Sequence, residues 1–285
     1  MIDLFLDCDN TFGNSRAEID DGLLILYLLG EPRVRLHGVS LTFGNGPLEE
    51  VVQATRGLLE RVRRPDLPLY VGAATPGQWE SDAARAIADA ASGVDSLRLL
   101  ATGPLTNVAG AAVVEPRFWD MIGSVAAMGG VQGPLLYPKR RGRELNLSAD
   151  AEAARRVLDG PRGVCLFPAE TCLEAKFGFG SLLRTLSWPR WARETTWSWF
   201  RHFSAKYGTR GFYLWDLLPA LWIVEPELFE TELVELQGEA PPPGLEEGRL
   251  NLQPSDGGKL RVARHIRNVG TLKKRLFEAW DRALS

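Results

Sequence analysis

The stretch that decides the fold reads Ile2-Asp3-Leu4-Phe5-Leu6-Asp7-Cys8-Asp9-Asn10, a short apolar run that ends in polar residues. Apolar runs of about four to eight residues with polar ends are typical of buried β-strands. After a loop, Asp20 and Asp21 open a segment that is almost wholly apolar as far as Gly30. Acidic residues suit the first turn of a helix, because a helix N-terminus carries partial positive charge. The stretch therefore predicts a strand followed by a buried helix, the repeating unit of a parallel α/β sheet.

The same alternation continues along the first two thirds of the chain. Strands are predicted at 2–6, 36–41, 69–71, 97–101, 124–128 and 164–167, and helices at about 20–29, 48–62, 79–92, 105–114 and 150–158. Strands joined by helical crossovers predict an α/β fold with one doubly wound, mostly parallel sheet of the Rossmann-like kind.

The last third of the chain has a different pattern. Residues 178–230 keep a helical period, are rich in Trp and Phe and lack strand-like alternation, which predicts a helical cap region. Residues 232–236, 250–252 and 260–263 predict a short C-terminal antiparallel extension, with a turn at 241–244 and a closing helix near 270–283. Because no linker and no internal repeat is evident, we interpret residues 1–285 as one domain.

The composition restricts the class of protein. A chain of 285 residues with 45% hydrophobic residues can bury a large core, and 33 Lys and Arg against 36 Asp and Glu give a net charge of -3. Scattered basic residues at this net charge do not favour nucleic acid as a partner. The absence of an apolar run of about 18 residues, and of a basic flank before an apolar run, predicts neither a membrane span nor a signal peptide. Three cysteines cannot all pair, which favours a reducing cytoplasm.

Carboxylates gather at one predicted sheet edge. Asp7 and Asp9 follow the first strand, and Asp20 and Asp21 open the next helix, with Arg16 as the only basic residue in the segment. Crowded carboxylates repel one another unless a positive charge compensates. Hard oxygen ligands favour a bound Ca²⁺ or Mg²⁺ over zinc. The alternative is structural, with Asp20 and Asp21 only capping a helix and the other two ending a strand.

Short motifs at the other strand ends complete a family pattern. They are Phe43-Gly44-Asn45, Thr102-Gly103-Pro104-Leu105-Thr106-Asn107, Met128-Gly129-Gly130, Glu144-Leu145-Asn146, Ala149-Asp150-Ala151-Glu152-Ala153-Ala154 and a late Asp216 before Pro219. Taken in order with the aspartates, from about residue 3 to 230, they resemble the inosine-uridine-preferring nucleoside hydrolases. No single motif is specific, but six in register are.

The resemblance implies a calcium-dependent enzyme that hydrolyses the N-glycosidic bond of a ribonucleoside to ribose and free base. It implies Asp9, Asp21 and Asp216 as carboxylate ligands of Ca²⁺, and the Thr102 carbonyl as a backbone ligand. Asp9 would also be the general base that takes a proton from the attacking water. Asp7 would orient the cluster without binding the cation itself.

The resemblance also implies how the substrate is held. Asp20 would accept a hydrogen bond from a ribose hydroxyl, Asn45 would hold a water on the cation, and Met128, Glu144 and Asn146 would line the ribose. The partner is thus a small-molecule nucleoside, and relatives of this kind are usually oligomers, so a homodimer or homotetramer is expected.

Trp215 stands where many family members have a His before the late metal-binding Asp. This resembles the purine-preferring branch, in which a Trp stacks on the base and assists its protonation. Trp79 could cover the opposite face of the base, and stacking favours the larger purine surface. The alternative for Trp215 is a core aromatic residue.

Two departures concern the 5′ end of the ribose. The ten residues Asn10 to Ile19 replace a short family loop, and an Asn that the family often places within 131–143 is absent. The basic run Lys139 to Arg143 lies in that segment, so a substrate with a 5′-phosphate stays open beside the simpler interpretation of a solvated charged loop.

Two rival functions remain at this point. Asp7-Cys8-Asp9-Asn10-Thr11 also resembles the nucleophile motif of haloacid-dehalogenase-type phosphatases, in which Asp7 would attack phosphorus and Asp9 would be the acid/base. A non-catalytic nucleoside-binding relative would keep the metal and ribose site but turn over poorly.

Overall fold

The computed structural model describes residues 1–161, 163–237 and 244–285. Its strands are β1 (Ile2–Cys8), β2 (Val34–Leu41), β3 (Leu69–Val71), β4 (Arg98–Ala101), β5 (Ser124–Met128), β6 (Val164–Phe167), β7 (Lys176–Phe177), β8 (Phe212–Tyr213), β9 (Phe229–Leu236), β10 (Leu252–Pro254) and β11 (Leu260–Ile266). Its α-helices are α1 (Asp20–Gly30), α2 (Leu48–Arg61), α3 (Asp82–Gly93), α4 (Thr106–Val114), α5 (Phe118–Met121), α6 (Ala151–Leu158), α7 (Ala169–Cys172), α8 (Phe179–Arg184), α9 (Arg190–Tyr207), α10 (Leu217–Val224) and α11 (Val269–Leu284).

The central sheet has nine strands in the order β10-β9-β11-β6-β5-β4-β1-β2-β3. All neighbouring pairs from β11 to β3 are parallel, and β9 pairs antiparallel with both β10 and β11. The chain winds outward from β1 in one direction through β2 and β3, and in the other through β4, β5 and β6. The predicted doubly wound sheet is confirmed, and its switch point lies between β1 and β4, where such sheets bind ligands beyond the strand ends.

Layers of helices cover the two faces of the sheet. Leu4, Leu6 and Cys8 of β1 belong to one apolar core, whereas Phe5 belongs to the other, as the alternation of a strand requires. Helix α1 is buried along nearly its whole length and contacts both α10 and α11. A helix that is apolar all round is expected in such a position.

The helix beginnings are set by capping side chains. Ser81 accepts a hydrogen bond from the Ala84 N–H at 3.1 Å, so α3 begins at Asp82 and the predicted start at residue 79 is too early. Asp150 caps α6 in the same way through the Ala153 N–H at 3.0 Å. As a consequence, Trp79 lies in the loop before α3 rather than on the helix.

The last third of the chain differs in detail from the prediction. The predicted antiparallel strands are present, but β11 also pairs in parallel with β6, so the extension continues the central sheet. Within 178–230, β8 pairs antiparallel with β7, and α10 packs on β4, β5 and β6, so not all of this region is a helical cap. Residues 241–243 of the predicted turn lie outside the described residues. Among the described helices, none combines the length and apolar character needed to cross a membrane.

Candidate active site

Asp7 lies at the end of β1, where it is fully buried. Its Oδ1 accepts hydrogen bonds from Ser40 Oγ at 2.5 Å and from Asn107 Nδ2 at 2.8 Å. Burial raises the pKa of Asp7 to about 7, and these two hydrogen bonds oppose that rise. The arrangement suits a carboxylate that orients its neighbours, and it gives no support to the phosphatase alternative, in which Asp7 would attack a substrate.

Asp9 is held by the loop after β2. The Asn45 N–H donates to Asp9 Oδ2 at 2.6 Å, and Asn45 Nδ2 donates to Asp9 Oδ1 at 3.2 Å. Gly44 makes this approach possible, because its φ is +151° and a Cβ there would lie 2.0 Å from Asp9 Oδ2. Burial, together with the charges of Asp20 and Glu18, raises the pKa of Asp9 to about 7, and the hydrogen bond from the Asn45 N–H opposes the rise.

Three other carboxylates meet at the same place. Asp20 and Asp21 come from the first turn of α1, and Asp216 immediately precedes α10. One oxygen from each lies within 4.8 Å of the others, and all three residues are buried. Burial raises the pKa of Asp20 to about 7, and burial together with the neighbouring carboxylates raises those of Asp21 and Asp216.

This donor set fits a hard divalent cation. Asp20 Oδ1 and Asp21 Oδ2 are buried and have no hydrogen-bond partner among the described residues, which is costly unless something else satisfies them. Thr102 follows β4, the strand beside β1, and its Oγ1 donates to Asp21 Oδ1 at 2.7 Å. Carboxylate and backbone carbonyl oxygens are the ligands that Ca²⁺ and Mg²⁺ prefer. The sequence analysis expected Asp9, Asp21, Thr102 and Asp216 as metal ligands. The carboxylates whose oxygens lie within 4.8 Å of one another are instead Asp20, Asp21 and Asp216, and Asp9 and Thr102 are buried beside them.

A cavity of about 110 Å³ opens next to this cluster, several times the ~10–15 Å³ that one water needs. Asp20, Asn45, Thr102 and Asp216 line it, whereas Asp9 and Asp21 are buried beside them. The predicted ribose residues Met128, Glu144 and Asn146 also line it.

The side-chain amide of Asn146 joins two segments that line this cavity. Its Nδ2 donates to the Thr102 carbonyl at 2.9 Å, to the Met128 carbonyl at 3.1 Å and to Met128 Sδ at 3.3 Å. Its Oδ1 accepts no hydrogen bond from the residues that the structure describes. Asn146 therefore links the ends of β4 and β5 to the cavity.

Glu144 is held more tightly than the sequence indicates. Its carboxylate accepts hydrogen bonds from the N–H groups of Gly130, Leu147 and Ser148 at 2.8 to 3.1 Å. Burial raises its pKa and these bonds oppose the rise. Because three backbone donors already neutralise much of its charge, Glu144 organises the loop in addition to lining the cavity.

One side of the cavity is aromatic. Trp215 lines it, and its ring packs on Tyr213 with 5.4 Å between centroids. Tyr137, Phe203 and Tyr207 line it as well, the last two from α9. Sequence reasoning missed these three residues, although the aromatic content of 178–230 indicated a cover for the site.

Trp79 does not line this cavity. Arg156 lies over its ring, with 4.2 Å from the guanidinium carbon to the centroid, and its backbone packs against Gly110 of α4. The expected position of Trp79 opposite Trp215 is therefore not supported. The misplacement has a local cause, since the Ser81 cap leaves Trp79 in a loop that packs on α4 and α6.

The insertion Asn10 to Ile19 is folded against the protein and delivers a carboxylate that the sequence did not single out. Thr11 Oγ1 donates to the Glu18 carbonyl at 2.9 Å, and Phe12 packs edge-on against Trp191 of α9. Glu18 then lines the cavity, where burial and the charge of Asp20 raise its pKa to about 8. The only signal in the sequence was an acidic residue two positions before Asp20.

The chain is similar to known proteins both in sequence and in fold. A family model described as inosine-uridine preferring nucleoside hydrolase matches residues 4–272. A pyrimidine-specific ribonucleoside hydrolase from Klebsiella pneumoniae is 24% identical over 268 residues, which are 80% of this chain and 81% of that protein.

Two solved structures share the fold. A purine-preferring ribonucleoside hydrolase from Gardnerella vaginalis has a TM-score of 0.83 at 21% identity and covers 99% of both chains. A plant nucleoside hydrolase has a TM-score of 0.81 at 18% identity and covers 98% of both. The relatives named here include one pyrimidine-specific and one purine-preferring enzyme.

Proposed function

Because this chain belongs to the inosine-uridine preferring nucleoside hydrolase family, we propose that it hydrolyses the N-glycosidic bond of ribonucleosides with Ca²⁺ bound at its aspartate cluster. The observation that carries the proposal is the group Asp20, Asp21 and Asp216, buried beside Asp9 and next to a cavity of about 110 Å³. Two buried carboxylate oxygens without partners favour a resident cation, since such atoms are otherwise rare.

The cation would be held by Asp9, Asp21, Asp216 and the Thr102 carbonyl, and when bound it would lower the pKa of a water and bind ribose hydroxyls. Asp9 then takes a proton from the attacking water. Asn45 keeps Asp9 in position through two hydrogen bonds, which supports this role.

Ribose binding is proposed for the remaining polar wall. Asp20 accepts a hydrogen bond from a ribose hydroxyl, and Asn146, which also lines the cavity, accepts one from another through its side-chain oxygen. Cleavage spreads positive charge over the ribose ring as the base departs. The surrounding carboxylates stabilise that charge, because opposite charges attract more strongly in a buried site than in bulk water.

The departing base would stack on Trp215. An aromatic wall tolerates different bases but gains more from the larger purine ring, so we propose a preference for purines. The residues Tyr137, Phe203 and Tyr207 support this, because they extend the aromatic surface beside Trp215.

The assay that tests the proposal measures ribose release from a panel of purine and pyrimidine nucleosides, with Ca²⁺ and after chelation. We expect release that requires the cation. In Asp9→Asn it should fall about 10²- to 10⁴-fold, the usual contribution of a general base, while Ca²⁺ binding is largely kept. Asp256→Asn, on an exposed loop, is the matched control and should behave as the wild type.

Two results would contradict the proposal. Wild-type turnover in Asp9→Asn would remove the general base. Tight nucleoside binding without any ribose release would instead favour the alternative of a non-catalytic nucleoside-binding protein.

We also propose a cytoplasmic location and a homodimer or homotetramer. All three cysteines are buried and unpaired, which favours a reducing compartment. Phe179 and Leu183 on α8, with Leu186 just after it, are exposed apolar side chains that favour self-association. Light scattering on the purified protein tests the oligomeric state.

A further inference from the structure

A second and larger cavity adjoins the first. Its volume is about 710 Å³, and Leu135, Gly142, Arg143 and Glu144 line both cavities. The two spaces therefore share one wall, and a substituent that leaves the ribose on that side reaches the second cavity.

Arginine dominates the lining of the second cavity. Arg140, Arg141, Arg143 and Arg249 line it, together with Glu246 and Glu247 and the shared Glu144. Arg249 is paired with Glu247 at 3.2 Å.

Apart from the pair of Arg249 and Glu247, three arginines stand against two glutamates, Glu144 and Glu246, so the lining keeps a net charge of +1. Arg140, Arg141 and Arg143 form no ion pair with the residues that the structure describes, and Arg140 lies over the Tyr207 ring instead. Glu144 offsets the arginine charge only in part, because three backbone N–H groups already bind its carboxylate. An anion entering the second cavity would thus meet the guanidinium groups of Arg141 and Arg143, which form no ion pair with the described residues.

The orientation of the substrate in the first cavity follows from the chemistry of the residues that line it. The wall with Asp20 and Asp216 suits the ribose diol, because carboxylates accept hydrogen bonds from hydroxyl groups. The aromatic wall, with Phe203, Tyr207 and Trp215, suits the base, which can stack on it. The 5′-carbon is the third position at which the ribose ring carries a substituent. The wall left for it is the one that Gly142, Arg143 and Glu144 share with the second cavity.

We propose that the second cavity binds a phosphate on the ribose 5′-carbon, so that nucleoside 5′-monophosphates are substrates. This rests on the proposed function, because it uses the same ribose site. In the reaction the bond between C1′ and the base nitrogen breaks, and the water oxygen bonds to C1′. One proton of the water goes to Asp9 and is then released to solvent, while the base nitrogen takes up one proton from solvent, so the products are ribose 5-phosphate and free base. The phosphate itself is not transferred.

The kinetic test compares a nucleoside with its 5′-monophosphate by release of the base. We expect kcat/KM to be higher for the monophosphate. Arg141→Gln, which alters only the second cavity, should lower the ratio of the two kcat/KM values about tenfold, as expected for one charge-assisted contact. Arg117→Gln, an exposed arginine paired with Glu115 away from both cavities, should leave the ratio unchanged.

Direct binding gives a readout independent of turnover. Calorimetry on the calcium-loaded protein should give tighter binding of ribose 5-phosphate than of ribose or of inorganic phosphate, because only the first occupies both cavities. The advantage should weaken as ionic strength rises and should be reduced in Arg141→Gln.

The outcomes separate the two proposals. Hydrolysis of nucleosides without any advantage for monophosphates, or a ratio unchanged in Arg141→Gln, overturns the phosphate site and leaves the proposed function intact. Binding of inorganic phosphate as tightly as ribose 5-phosphate would indicate a general anion site and would also overturn it. Absence of base release from both substrates would refute the proposed function, whereas the calorimetry would still test the phosphate site.

Discussion

Asn107 is the residue on which the scaffold of the aspartate cluster depends. It is fully buried at the start of α4 and makes four hydrogen bonds. Its Nδ2 donates to Asp7 Oδ1 at 2.8 Å and to the Leu41 carbonyl at 3.2 Å. Its Oδ1 accepts from the Ala73 N–H at 2.9 Å and from Ser81 Oγ at 3.3 Å. One side chain thus joins β1, β2 and the loop before α3.

Asn107→Ala removes all four bonds. At about 1 kcal/mol for each neutral bond and about 2 kcal/mol for the bond to the Asp7 carboxylate, the free energy of unfolding should fall by about 4–5 kcal/mol. Losses of this size are exceptional for one substitution and arise where buried polar partners lose their hydrogen bonds.

The loss should also depend on pH. The bond from Asn107 lowers the pKa of Asp7 in the folded protein, so its removal raises that pKa above about 7. The Asp7 carboxyl is protonated in both folded proteins near pH 5 but is ionised in the folded wild type near pH 8. The destabilisation should therefore be larger near pH 8, by about 1 kcal/mol, the difference between a charged and a neutral hydrogen bond.

Urea unfolding in the presence of a chelator measures both quantities without a contribution from bound cation. Asn251→Ala, at an exposed position, is the control and should change stability by less than about 0.5 kcal/mol. A loss below about 1 kcal/mol for Asn107→Ala would refute the reasoning. Equal losses at the two pH values would refute the link to Asp7.

Three further substitutions test the site. Gly44→Ala should lower activity at least about 100-fold, because its Cβ would lie 2.0 Å from Asp9 Oδ2 and displace the general base. Gly77→Ala, also at positive φ but with open space around it, is the control for backbone strain alone. Equal losses of activity in the two variants would contradict the clash. Glu18→Gln should raise the melting temperature of the chelated protein near pH 8, because burial and the charge of Asp20 raise the pKa of Glu18 to about 8 and ionised Glu18 in turn raises the pKa of Asp9. Near pH 5, where Glu18 is protonated in the folded protein, the gain should be much smaller. No gain near pH 8 would contradict this. Trp215→Ala should reduce kcat/KM for purine nucleosides more than for pyrimidine nucleosides, and an equal loss on both would show that Trp215 only packs.

Much of the sheet could be predicted because its signals are local. Apolar runs with polar ends marked the parallel strands to within about two residues, since a strand buried on both faces needs such a run. The first residues of the helices were harder to predict from the apolar pattern. The Ser81 side chain, rather than the apolar period, decides where α3 begins.

The sequence by itself also determined which aspartates could meet. Asp9 and Asp21 lie close along the chain, and the carboxyl ends of adjacent parallel strands share one edge of the sheet, which adds Thr102. The resemblance to a family was needed for Asp216, because nothing local connects a residue before α10 with the end of β1.

Only the tertiary structure decided which side chains face the substrate. Glu18, Tyr137 and Tyr207 line the cavity, whereas Trp79 packs on Arg156 and α4. The physical reason is that the direction of a loop side chain depends on what the loop packs against. Residues distant in sequence supply that packing, so the local pattern of apolar and polar residues does not reveal it.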